Sequence, residues 1–269
     1  MPAINLTRLN RQVDELGNSF SQPGVFCRHL HELLDYYADR TLRPSSAGNR
    51  PPLLPHYTIS ESLLRVLETE LARLSHLSST LDILNLADAL WAEGYFEFRL
   101  LSAFLLGQVP ADGEEEVARR LQAWATPEQD RRILKALFQA GKASLGQSNP
   151  DGWLRQITTW LQSEAIPEQA LGLRALRAVI ADPQFVNLPK IYKLLTPVAA
   201  SAPPELHPDL ASVLAVLAQR SPAETLSFLK YLLKVATEPR ITRLVRRCLP
   251  LFTEEEQKAL RADLVKKAG

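Results

Sequence analysis

The sequence predicts an all-α fold made of stacked helix pairs, and three observations carry that prediction. Period-two alternation is scarce and no Asn-Gly or Asp-Gly turn lies between β-branched runs, so strands have little support. Leucines recur instead at three- and four-residue spacing, which puts them on one helix face. Proline-led and capped helix starts then repeat at intervals of about 40 residues, the period of a helix-pair repeat. One pair cannot bury its apolar face alone, so pairs stack on their neighbours.

Taken in order, residues 1–56 read as an N-terminal helical region with a loop, because Arg43 to His56 gathers Pro44, Pro51, Pro52 and Pro55 with Ser45, Ser46, Gly48 and Asn49. Residues 57–269 read as the repeat stack, continuous with that region in one domain. Ser60 to Leu77 places Leu63, Leu64, Leu67, Leu71 and Leu74 on one stripe, with Arg65, Glu68 and Arg73 around the other side. Three segments look like helix-starting capping boxes: Thr126-Pro127-Glu128-Gln129, Ser221-Pro222-Ala223-Glu224 and Thr253-Glu254-Glu255-Glu256. In each, the hydroxyl accepts from the third helical N–H while the Glu or Gln side chain reaches back. Pro150, Pro167, Pro189, Pro208 and Pro239 mark further starts. Their spacing matches a HEAT-like helical-repeat solenoid, curved, with a concave surface.

At 46% hydrophobic and 23% charged, the 269-residue composition excludes a disordered tail protein, a collagen-like fibre and a disulfide-stapled miniprotein. Cys27 and Cys248 are too few and too distant in sequence to form a disulfide framework. The segment Met1 to Arg8 lacks the apolar run of a signal peptide. The longest apolar stretch, around Leu210 to Ala218, falls far short of the ~20 residues that span a bilayer. A cytoplasmic protein with no membrane partner is the expectation.

The formal net charge is +1, but it is an average of unlike parts. Residues 1–126 carry 11 basic and 16 acidic side chains, whereas 127–247 carry 16 basic and 10 acidic, and the remaining tail is balanced at four of each. Within the basic part the cations pair at helical spacing: Arg132 with Lys135, Arg174 with Arg177, Lys190 with Lys193, Lys230 with Lys234, then Arg240, Arg243, Arg246 and Arg247. Aligned across successive repeats, such pairs form a concave basic face that neutralises duplex phosphates; taken singly, each is equally an ordinary solvated face. The arginine cluster at 240–247 is the strongest element. Trp153, Trp160, Phe185 and Tyr192 interleave with these cations, at a spacing that fits core packing better than base stacking.

Asp82-Ile83-Leu84-Asn85-Leu86-Ala87-Asp88-Ala89-Leu90-Trp91, followed by Tyr95-Phe96-Glu97-Phe98-Arg99 and an Ala- and Leu-rich helix, resembles the DNA alkylation-repair family of HEAT-like-repeat glycosylases. A Trp-bearing helix at Trp153 to Gln162, a helix holding Arg174 to Val179 and the Ser221-Pro222 start follow in the same order, so the resemblance covers roughly residues 60–250. It implies an α-solenoid whose basic cleft holds DNA and, in active members, releases positively charged alkylated purines. Active members carry a Trp-Asp-x-x-Asp pattern at the helix beginning here at Thr126, where the aromatic contacts the lesion and the second Asp stabilises charge developing on the sugar. This chain reads Glu128-Gln129-Asp130-Arg131-Arg132-Ile133 instead. The Trp position falls on Gln129 and the catalytic Asp position on or near Ile133. Asp130 matches only the first, structural Asp, and as a candidate acid it competes with a plain role in the first helical turn. A later cleft Trp aligns with Ser212, and Arg174 takes the place of the family's cleft Arg.

Cys27-Arg28-His29-Leu30-His31 puts only Cys27 and His31 on one helix face, too few ligands for zinc, so no metal and no cofactor is expected. No phosphate-binding Gly loop, nucleophile elbow or His-Glu-x-x-His helix occurs. Glu114-Glu115-Glu116 and Glu254-Glu255-Glu256 suit helix N-termini. Together these readings favour a duplex-DNA binder that has lost the family's glycosylase chemistry. A protein-interaction scaffold with a protein partner, and an active glycosylase with a relocated acid, stand as alternatives.

Overall fold

The computed structural model describes residues 6–38, 52–148, 150–236 and 240–268. Among these residues lie fourteen α-helices and no strand. The chain divides into two compact units, residues 1–153 and 154–269.

The first unit holds α1 (Leu6–Gly17), α2 (Pro23–Tyr37), α3 (Glu61–Ser75), α4 (Thr80–Ala92), α5 (Phe96–Leu106), α6 (Glu114–Trp124) and α7 (Arg131–Ser148). Here α1 packs on α3, α3 on α5 and α5 on α7, while α2 packs on α4. The leucine stripe of α3 explains the pattern: Leu63, Leu67 and Leu71 are buried at 0–1% exposure, each worth about 2 kcal/mol in surface removed from water. Contact is close at Gly141 of α7, where a Cβ would stand 2.8 Å from the Trp153 ring and 3.0 Å from Leu121. The missing side chain lets Trp153, 2% exposed, lie against the α7 backbone.

Crossing the division is α8 (Pro150–Leu161), and the second unit continues with α9 (Ile166–Ile180), α10 (Leu188–Ser201), α11 (His207–Arg220), α12 (Pro222–Val235), α13 (Ile241–Cys248) and α14 (Glu254–Ala268). One layer is α9 on α11 on α13; the other is α10 on α12 on α14, joined to the first through α11 with α12 and α12 with α13. Next-but-one packing of this kind is the arrangement of stacked helix pairs. Arg220 ties the end of α9 down, donating to the Ile180 and Asp182 carbonyls at 2.9 and 2.8 Å.

Helix starts follow the sequence at α8 through α11, which open at or one residue before Pro150, Pro167, Pro189 and Pro208. The box at Thr253 forms as expected: its N–H donates to Glu256 Oε2 at 2.9 Å, and the Glu256 N–H reaches the Thr253 hydroxyl at 3.5 Å. Ser221 does precede α12, yet its hydroxyl caps nothing; its carbonyl accepts the Thr225 N–H at 3.1 Å. The start read at Thr126 is corrected to Arg131. Thr126 to Gln129 close a turn, and the Asp130 carboxylate accepts the Arg132 N–H at 2.8 Å, so a charged acceptor displaces the upstream hydroxyl as cap. Pro239 and residues 43–51 of the Pro-rich loop lie outside the described residues.

The end of that loop is stitched to the first unit. Pro55 O accepts the Phe96 N–H at 2.9 Å, and Glu97 Oε1 accepts the N–H groups of Tyr57 and Thr58 at 3.0 and 3.1 Å. Thr58 sits at φ 59, the left-handed region that a β-branched residue seldom enters. His31 Nε2 lies 3.0 Å from Glu93 Oε2, and His31 Nδ1 meets the Tyr57 hydroxyl. With His31 neutral, a carboxylate can only accept, so Nε2 carries the hydrogen and Nδ1 accepts from the Tyr57 O–H. Cys27 is buried beside Glu93, and burial first, with the Glu93 charge and hydrogen bond adding, pushes its thiol up to about 12. Cys248 is likewise buried in the second unit and pushed up to about 12.

Candidate nucleic-acid interface

In the first unit the structure gives Asp130 a structural occupation. Besides capping α7, its carboxylate pairs with Arg132 Nε at 3.1 Å and Nη2 at 3.0 Å. Burial alone would raise the Asp130 pKa; the Arg132 side-chain and backbone hydrogen bonds and charge, with a backbone bond from Leu53, lower it below the usual carboxylate value. Arg132 itself lies over the Phe96 ring at 4.4 Å. Lys135 is exposed on the same helix, and Ile133 is buried at 0% exposure. Gln129 accepts from Arg99 Nη1 at 2.9 Å, and Arg99 stacks over Trp91, which lies parallel to Trp124 at 4.4 Å. Trp124 is thus a core residue at the end of α6.

In the second unit the predicted cations separate. Arg174 of α9 is held by Asp209 of α11 at 3.1 and 3.2 Å, while Arg177, in the last turn of α9, stays exposed. On α13, Ile241, Leu244, Val245 and Cys248 are buried, which turns Arg243, Arg246 and Arg247 outward. Those three make no ion pair among the described residues. Arg240 and Arg243 also line an open cleft of about 780 Å³ with Ile166, Pro203, Pro204, Glu205 and Thr242. Under this face lies His207, whose pKa is lowered first by burial and further by the charges of Arg247 and Arg243.

Lys190, Lys193, Lys230 and Lys234 belong to α10 and α12, in the other layer from α9 and α13. Lys193 lines a groove of about 420 Å³ with Tyr192, Thr196, Glu224, Ser227, Phe228 and Tyr231. Tyr231, 49% exposed, was not singled out from sequence. Its signal was the stripe Glu224, Ser227, Tyr231 and Lys234, an aromatic among polar residues at helical spacing. Trp153 and Trp160 are core residues at 2% and 5% exposure.

The described residues hold no group of three or more His, Cys, Asp or Glu side chains arranged to bind a metal, and no helix long and apolar enough to cross a membrane. The family model for the DNA alkylation repair enzyme matches residues 60–247, and the chain belongs to that family. Its function is accordingly DNA-repair related. Among curated proteins none matches. A crystal structure of an engineered protein, a Northeast Structural Genomics Consortium target, is similar at 14% identity over 96% of this chain and 93% of its own, with a TM-score of 0.29.

Proposed function

We propose that this chain binds duplex DNA through the arginine face of α13 and has diverged from its relatives' glycosylase chemistry. The observation that carries the binding half is the set of outward, unpaired guanidiniums of Arg243, Arg246 and Arg247, beside family membership that names DNA as the partner. Arg132 and Arg174 contribute less, since each already faces a carboxylate. Support for lost chemistry comes from the positions that the family resemblance makes functional. Ile133 is wholly buried, Gln129 is engaged by Arg99, and Asp130 is spent on the α7 cap and Arg132. An oxocarbenium-like state needs a carboxylate aimed at the sugar, and a carboxylate already neutralised by an arginine supplies little of that stabilisation. Two measurements test the proposal: duplex affinity against salt concentration, and release of alkylated purines from treated DNA. Steeply salt-dependent binding with background release is expected. Absent or salt-independent binding overturns the first half, and enzymatic release overturns the second.

A further inference from the structure

We infer that the groove between α10 and α12 is a second nucleic-acid site, one that takes an unpaired strand by stacking a base on Tyr231 while the lysines hold its phosphates. It rests on DNA being the family's partner but on none of the α13 arginines. The groove has a rigid wall. Thr225 Oγ1 donates its single hydrogen to the Ser221 carbonyl at 2.8 Å, so the Tyr192 hydroxyl, 2.9 Å away, donates to Thr225 and fixes its ring. Phe228 packs against that ring with centroids 5.1 Å apart. Tyr231 then stands half-exposed at the rim, with Lys193 across the groove and Lys234 further along its own helix.

These parts match an anionic chain that carries flat rings. Its phosphates suit Lys193 and Lys234, its base suits a preset tyrosine face, and about 420 Å³ holds one base. A duplex keeps its bases stacked and offers the groove only phosphates. An acidic peptide meets the lysines but leaves the Tyr231 face unused.

The test is fluorescence anisotropy with labelled oligothymidylate of about ten nucleotides, an abasic strand of equal length, a glutamate peptide and a duplex. Tyr231→Ala should weaken oligothymidylate binding about tenfold and leave the abasic strand and duplex unchanged; Tyr231→Phe, which keeps the ring, should match wild type. An unchanged melting temperature shows that the exposed substitution is tolerated. Equal oligothymidylate affinity in Tyr231→Ala, or a glutamate peptide that binds as tightly as oligothymidylate, overturns the inference. If Arg243→Ala with Arg247→Ala leaves duplex binding intact while Tyr231→Ala still costs tenfold on the single strand, the α13 reading falls and this one stands.

Discussion

Replacing Arg243 and Arg247 with alanine removes two of the three unpaired guanidiniums on α13 without touching its buried side. The two are four residues apart, so they sit about 6 Å from one another along the helix axis, on one face. Three cations that each displace one counterion predict a log–log salt slope of about −2.7, or roughly a 40-fold loss of duplex affinity between 50 and 200 mM salt. The double variant retains about one such contact, so its slope falls to about −0.9 and its loss over the same range to about 3.5-fold. Anisotropy titrations at four or five salt concentrations measure both slopes directly. A double variant with weaker binding at every salt but an unaltered slope would mean that the arginines act through folding rather than phosphates, and an unaltered affinity and slope would remove α13 from the interface.

Asp130→Asn tests the structural assignment of the candidate acid. The folded-state pKa of Asp130 is lowered, so its ionised form contributes stability in full above the unfolded value near 3.8, a contribution that is lost as pH falls through the lower folded value. The variant should therefore flatten the acid limb of the stability profile, and Asp130→Ala should cost about 1 kcal/mol at neutral pH in denaturant titrations. Gly141→Ala forces a methyl against Trp153 and Leu121; it should cost about 1–3 kcal/mol and lower the melting temperature by about 2–4 °C for each. An alanine variant as stable as wild type would mean that the Trp153 ring has room to move.

Periodicity within one helix was enough to read the α3 stripe and the arginine spacing of α13, because each is set by residues a few positions apart. What it left open was which layer each helix joins. Lys193 and Arg243 look alike in sequence, both at helical spacing from another cation, yet next-but-one packing sends α10 and α13 to different layers. Arg174 reads as a cleft cation until α11 brings Asp209 across 35 positions to meet it. The misplaced start of α7 has a local cause: two acceptors lay in reach, and the carboxylate of Asp130 outcompeted the hydroxyl of Thr126. Tyr231 escaped notice because an exposed aromatic on an amphipathic helix differs from a buried one only by the face it occupies.

The two thiols place one silent reporter in each compact unit, Cys27 in residues 1–153 and Cys248 in residues 154–269. A thiol held at about 12 keeps only about one part in 10⁵ as thiolate at pH 7, so native protein should resist thiol-directed electrophiles. Labelling then follows opening, and mass mapping of which cysteine reacts first resolves the local stability of one unit from that of the other.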